Sequence, residues 1–352
     1  MRFYTKTHKH YCGIDLHARK MYVCILDAEG NVLLHRNICC NPQDFLRVIA
    51  PFREGLAVGV ECMFAWYWLA DLCCKEGIDF VLGHALYMKA IHGGKAKSDK
   101  IDAQKIAALL RGGMFPMAYV YPPEMRATRD LMRRRTHFVR KRAELLAHIQ
   151  NTVTQYNLPV IGVNLSVESN RQGVAKEIAG LFPDPEVQKI VLVDLAMIDA
   201  YDDTLKALDW DIEKTARQHN CHALLLLRSV QGIGSILALV MLYEIHEINR
   251  FETVQQFASY CRLVKCSHES AGKKKGTGGA KIGNAHLKWA FSEAAMLFIR
   301  HNPPAKNLME NLTRIHGKGK ALSILAHKLA RAIYYMLKNN RPFDRKKFLA
   351  TA

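Results

Sequence analysis

Three short runs near the start decide the fold: YCGIDL (Tyr11–Leu16), MYVCILD (Met21–Asp27) and NVLLHRNI (Asn31–Ile38). The last two flank the turn Ala28-Glu29-Gly30, and apolar runs around a glycine-containing turn predict a hairpin. Working outward, Asn41-Pro42 opens a helical pattern to about Phe52. LAVGV (Leu56–Val60) is a buried strand ending at Glu61. A helix from about Ala65 to Glu76 and a strand, Asp79–Leu82, follow. An antiparallel hairpin followed by strand–helix alternation predicts a mixed α/β sheet. Ser98–Gly112 is a helix that Ser98 or Asp99 can cap and Gly112-Gly113 can close.

Beyond Pro123 the pattern is long and helical to about Asn157, with apolar pairs Leu131/Met132, Phe138/Val139 and Leu145/Leu146 seven residues apart. A second track runs Val187, Val191, Asp194, Ile198, Tyr201, Leu205, Leu208, Ile212, with Asp194 its one polar member. Such periodicity predicts a coiled-coil hairpin or an oligomer contact, or else two ordinary amphipathic helices. Residues 158–186, with three prolines, read as a loop. From Ala223 the chain is mainly helical, broken at Lys273–Gly279 by a basic, glycine-rich stretch. Arg341–Lys347 is a further basic patch.

The 352 residues carry 50 Lys+Arg against 32 Asp+Glu, a net charge of +18. At 49% hydrophobic and 23% charged, general disorder is excluded. No apolar run suggests a membrane span, and Met1–His10 lacks a signal-peptide core. The ten cysteines have no zinc-like spacing and read as reduced thiols in a cytoplasmic protein. The charge is uneven: net +9 over residues 1–150, −5 over 151–250 and +14 over 251–352. An excess this large points to a polyanionic partner, most simply nucleic acid.

Four constellations carry possible chemistry. Asp15 ends the first strand and Glu61 ends the fourth, while Asp99 and Asp102 share one face of a helix start. A strand order 3-2-1-4 would bring Asp15 beside Glu61. Grouped carboxylates call for a hard cation, and paired magnesium ions cleave phosphodiesters. Singly, each acid has a plain alternative as a cap, a helix-dipole partner or a turn residue. Ser267 and Ser270 lie in a loop, Cys266–Gly279, before Lys273, Lys274 and Lys275, where a serine can be a nucleophile or an ordinary polar residue. Gly232-Ile233-Gly234, between apolar helical stretches, fits a helix–hairpin–helix turn offering N–H groups to a phosphate, or a tight helical corner. Arg133, Arg134 and Arg135, with Arg140, Lys141 and Arg142, form either a nucleic-acid track or a solvated face.

Together these motifs resemble the DEDD transposases of bacterial insertion sequences, the family of bridge-RNA-guided serine recombinases, over most of the chain. The matching residues are Gly13-Ile14-Asp15, Gly59-Val60-Glu61 and Lys97-Ser98-Asp99-Lys100-Ile101-Asp102-Ala103. In the second half they are Val230–Gly234, Arg250-Phe251, Lys281-Ile282-Gly283-Asn284 and Leu287. Ser270 falls where the family places its nucleophile. Two departures stand out: Arg262-Leu263-Val264-Lys265 replaces the usual Gly-Leu-x-Pro, and Ala271 separates Ser270 from Gly272.

The resemblance implies an RNase H-like (RuvC-like) α/β domain at 1–122, a helical coiled-coil region at 123–222 and a mainly α transposase domain at 223–352. It implies a site-specific recombinase in which magnesium, held by Asp15, Glu61, Asp99 and Asp102, acts beside Ser270 of another subunit. Its partners would be DNA (element ends and target), a structured guide RNA and further copies of the chain, as dimer or tetramer. Gly232, Gly234, Arg133–Arg135, Lys273–Lys275 and Lys281 would grip nucleic acid. The alternatives are a Holliday-resolving nuclease using the acids and water, an actin-like ATPase and a decayed binding protein. The ATPase would need a second Asp-Gly phosphate loop, and the four acids argue against decay.

Overall fold

The structure, a computed structural model, describes residues 2–91, 98–278, 281–300 and 302–350. Lys97 and Gly279, and the side chains of Ser267 and Lys274, lie outside the described residues. The chain divides into two compact units, Met1–Pro123 and Glu124–Ala352.

In the first unit the elements run β1 (Phe3–Tyr4), β2 (His10–Leu16), β3 (Lys20–Asp27), β4 (Val32–Cys39), α1 (Pro42–Ile49), β5 (Leu56–Glu61), α2 (Tyr67–Lys75), β6 (Asp79–Gly83), α3 (Ala85–Ile91), α4 (Asp99–Arg111) and β7 (Phe115–Pro116). Five strands form one sheet in the order β4-β3-β2-β5-β6. β2, β3 and β4 are antiparallel, whereas β5 runs parallel to both β2 and β6. β1 pairs with β7, a small second sheet that the sequence pattern did not reveal.

Alternation along β2 sorts its side chains between two faces. Cys12, Ile14 and Leu16 pack with Phe45 and Ile49 of α1 and Leu69, Ala70 and Cys73 of α2. The opposite face, carrying Tyr11, Gly13 and Asp15, is covered by α4. There Ala103 and Ala107 pack with Cys24 and Leu26 of β3, and Ile106 and Leu110 pack with Tyr11, Ala57 and Phe115. Burial on both faces explains why the strands read as nearly continuous apolar runs.

Gly13 sets how closely α4 lies. A Cβ there would sit 2.2 Å from Ala107 N and 2.3 Å from Ala103 O, so the helix backbone rests directly on the strand. Its register partner on β5 is Gly59, where a Cβ would meet Leu110 at 3.2 Å. The helix start is fixed as well. Ser98 Oγ caps it by accepting from Ile101 N, and His35 Nε2 of β4 lies 2.9 Å from the Lys100 carbonyl.

The second unit comprises α5 (Pro123–Gln155), α6 (Glu168–Lys176), α7 (Ile178–Leu181), α8 (Pro185–Arg228), α9 (Ser235–Ile245), α10 (Val254–Tyr260), β8 (Cys266–Ser270), β9 (Lys273–Gly278), α11 (Ala285–Arg300), α12 (Pro303–His316), α13 (Lys318–Lys338) and α14 (Arg345–Ala350). α5 and α8 run antiparallel, as their ion pairs show: Arg135–Asp209 at 2.6 Å, Arg142–Asp202 at 2.5 Å and His148–Asp194 at 2.5 Å. Asp194, the polar member of the track, is buried and paired with His148. α8 is interrupted at Asn220, whose φ of −161° and ψ of 78° leave the helical region and whose Oδ1 accepts from Ala223 N.

Two loop expectations give way to regular structure. Residues 158–186 hold α6 and α7, and Val174, Ile178 and, just after α7, Phe182 pack against Val187 and Val191 of α8. Of the stretch Cys266–Gly279, the described residues, 266–278, form the β8–β9 hairpin, turning at Ala271 (φ 51°) and Gly272 (φ 70°). Positive φ at both central residues is the geometry of a two-residue hairpin turn. Among the described residues no helix is long and apolar enough to cross a membrane.

Candidate active site

The first unit gathers its acids where α4 begins above the end of β2. Moving from Gly13 to Asp15 along the strand corresponds to moving from Ala107 back to Asp102 and Asp99 along the helix. The close approach at Gly13 therefore carries both aspartates toward Asp15. Ser98 takes the capping role, so the Asp99 carboxylate is left to point elsewhere. Glu61 ends β5 one position beyond the Ile14–Val60 register pair, level with Asp15 on the adjacent parallel strand.

One residue joins this group that the motif pattern missed. His17 Nε2 lies 3.3 Å from Asp15 Oδ2 and 3.5 Å from Asp99 Oδ1. One ligand atom from each of Asp15, His17 and Asp99 falls within 4.8 Å of the others, a spacing that can hold a metal ion. His17 directly follows the last residue of β2, and nothing in the motif pattern singled it out. Asp102, also close, has Lys105 Nζ at 3.8 Å. Burial pushes the Asp15 carboxyl above its ordinary range. His17 pulls it back, and Asp99 and Asp102 push it further up. Acids that disfavour one another's charge are the electrostatic counterpart of a cation site.

The second unit places Ser270 at the end of β8, exposed, opposite Lys273 across the hairpin turn. Lys273, Lys275 and Lys281 are exposed as well.

The arginine run of α5 is not a solvated stripe. Arg133 bonds Glu244 of α9 at 2.6 and 2.9 Å, and Arg135 bonds Asp209 at 2.6 and 3.1 Å. Arg142 holds Asp202, while exposed Arg134 stacks on Phe138. The acidic segment 151–250 thus neutralises much of α5 internally.

Glu244 is 2% exposed and also receives Arg129 and Asn284 Nδ2, the latter at 2.7 Å. Burial alone would raise its carboxyl; Arg133, Arg129 and Asn284 overturn that and hold it at about 2. Asn284 in turn caps α11 by accepting from His286 N and Leu287 N. Arg262, one of the departures from the family pattern, donates to the carbonyls of Gly283 and Lys281. The Lys281–Asn284 motif is therefore held as structure. Gly232 has a φ of +86°, and a Cβ there would lie 2.6 Å from Phe298 N, so it is pressed onto the α11 backbone. Gly234 begins α9 with open space around it.

Residues 12–158 match a family of insertion-sequence DEDD proteins described as "Transposase", and residues 224–310 match the "Transposase IS116/IS110/IS902 family". The chain is 24% identical over 335 residues to the "Transposase for insertion sequence element IS1111A" of Coxiella burnetii, covering 92% of this chain and 88% of that protein. It is 25% identical over 307 residues to a "Probable family 20 transposase" of Pseudomonas aeruginosa, covering 82% and 83%. With both family regions in one chain, and relatives matching along most of its length, the chain belongs to the DEDD transposases of insertion sequences and is an enzyme that mobilises them.

Proposed function

We propose that this transposase acts as an RNA-guided, site-specific serine recombinase that uses a divalent metal. The carrying observation is the convergence of Asp15, Asp99 and Asp102 through the direct contact of α4 with β2, with Glu61 ending the neighbouring strand. Such a donor set fits magnesium, a hard cation that takes oxygen ligands. Asp15, Glu61, Asp99 and Asp102 would hold it, and when bound it polarises a phosphodiester and offsets charge on the leaving oxygen. The order β4-β3-β2-β5-β6, antiparallel then parallel, supports an RNase H-like sheet. The antiparallel α5–α8 pair supports a coiled coil between the domains proposed at 1–122 and 223–352.

Ser270 would supply the nucleophile. Its Oγ forms a bond to phosphorus as the strand's own P–O bond breaks, and the departing oxygen keeps the electron pair and is protonated. Exposed Lys273 and Lys275 stabilise charge gathering on the phosphate. The segment 251–352, net +14, grips backbones without reading sequence, leaving target choice to base pairing with a structured RNA. The chain would work in the cytoplasm as an oligomer on the element's ends and its target.

The test uses wild type, Asp15→Asn and Ser270→Ala on a substrate that traps the cleaved state. Wild type should give a denaturant-resistant protein–DNA adduct mapping to Ser270. Asp15→Asn should bind nucleic acid but not cut, and Ser270→Ala should bind RNA but not recombine. Cutting by wild type with no adduct would instead favour the water-using nuclease.

A further inference from the structure

His17 stands apart from the acids by its chemistry. Its imidazole faces Asp15 and Asp99 with the same nitrogen, Nε2, at 3.3 and 3.5 Å, although the side chain is half exposed and could swing into solvent. The backbone beneath it is pinned in the β2–β3 turn. His17 N donates to the Lys20 carbonyl at 3.1 Å, and Cys40 Sγ donates to the His17 carbonyl at 3.2 Å. Cys40 N also donates to the Arg19 carbonyl at 3.0 Å, tying the end of β4 to the same turn. The ring therefore projects from a braced corner along the face that carries Gly13 and Asp15.

We infer that His17 is a ligand of the same metal, which makes the donor set a mixture of carboxylate oxygen and imidazole nitrogen; this rests on the metal site proposed above. The consequence is selectivity. Magnesium prefers an all-oxygen octahedron and parts reluctantly with its waters. A nitrogen donor adds affinity for first-row transition ions, whose binding strengthens along the series from manganese upward. His17 would then raise the affinity of the site for a transition ion such as manganese above that of the carboxylates alone, while magnesium remains an ion the four acids can hold.

Direct metal binding tests this without recombination. The full-length protein is titrated calorimetrically with manganese and with magnesium, beside His17→Ala, His17→Gln and Asp15→Asn. Circular dichroism verifies that each variant is folded. Wild type should bind manganese at least tenfold more tightly than magnesium. Both His17 variants should lose on the order of tenfold in manganese affinity while magnesium affinity stays within about twofold. Pulsed electron paramagnetic resonance of the manganese complex should show coupling to a directly bound imidazole nitrogen, absent in His17→Ala. Manganese binding that needs Asp15 but shows no nitrogen coupling would overturn the assignment of His17 and leave the carboxylate site standing. No binding of either ion by wild type would overturn both.

Discussion

At Gly13 there is no room for even a methyl group: the neighbours are the backbone of α4, with no flexible side chain able to give way. Gly13→Ala must lift α4 off the sheet, and overpacking of this kind costs on the order of 3 kcal/mol. The variant should melt several degrees lower in calorimetry and lose metal binding, although no carboxylate has changed. Unchanged melting and unchanged metal affinity would refute the close-contact account. Much at this scale was legible in the sequence. Gly13-Ile14-Asp15 and Gly59-Val60-Glu61 identified the strand ends, and Ser98-Asp99 the helix start, with the cap between them left open until the structure gave it to Ser98. His17 was not legible, because a histidine two residues beyond a strand-end aspartate becomes informative only once the register of β2 is known. The partners of the α5 arginines were not legible, because a basic run in sequence does not reveal the acids that α8 brings against it.

Glu244 is where elements are joined: it sits on α9, takes two arginines from α5 and bonds the residue that caps α11. Its folded carboxyl, at about 2, lies below the ordinary glutamate value of 4.5. It therefore contributes stability at pH above about 4.5, and loses that contribution as pH falls toward 2. The shift corresponds to about 3 kcal/mol. Glu244→Gln should lower stability at neutral pH by a similar amount, since it removes the buried charge that Arg129 and Arg133 bond. It should also flatten the acid limb of the stability curve, measured by urea unfolding between pH 5 and 3. A variant with the wild-type acid limb would show that Glu244 is not the linked group. The long helices and the main sheet were readable from periodicity. Helix α6 was not, because its anchor is Arg171, 1% exposed and bonded to Asp199, Asp202 and the Leu165 carbonyl. Pattern reading treats an arginine as surface. The hairpin β8–β9 was hidden for a related reason, β8 being polar and β9 basic with two glycines.

Over the whole molecule, the ion pairs change what the net charge means. Asp194, Asp202, Asp209 and Glu244 of the acidic middle pair with α5, and most of the net positive charge, +14, lies in residues 251–352. Replacing Lys273, Lys275 and Lys281 by glutamine should weaken nucleic-acid binding. The slope of log affinity against log salt should fall by roughly one for each phosphate that is no longer neutralised. Arg135→Gln should leave that slope alone and lower the melting temperature. Filter binding across a salt series measures the slopes and calorimetry the melting. A slope reduced by Arg135→Gln but not by the lysine changes would reverse this assignment. The glycine under α4 has a further consequence for inheritance. Insertion sequences persist as many copies, each free to accumulate lesions. One altered codon at position 13 would silence a copy while every acid stayed in place, so a survey of copies that scored only their carboxylates would count the dead among the living.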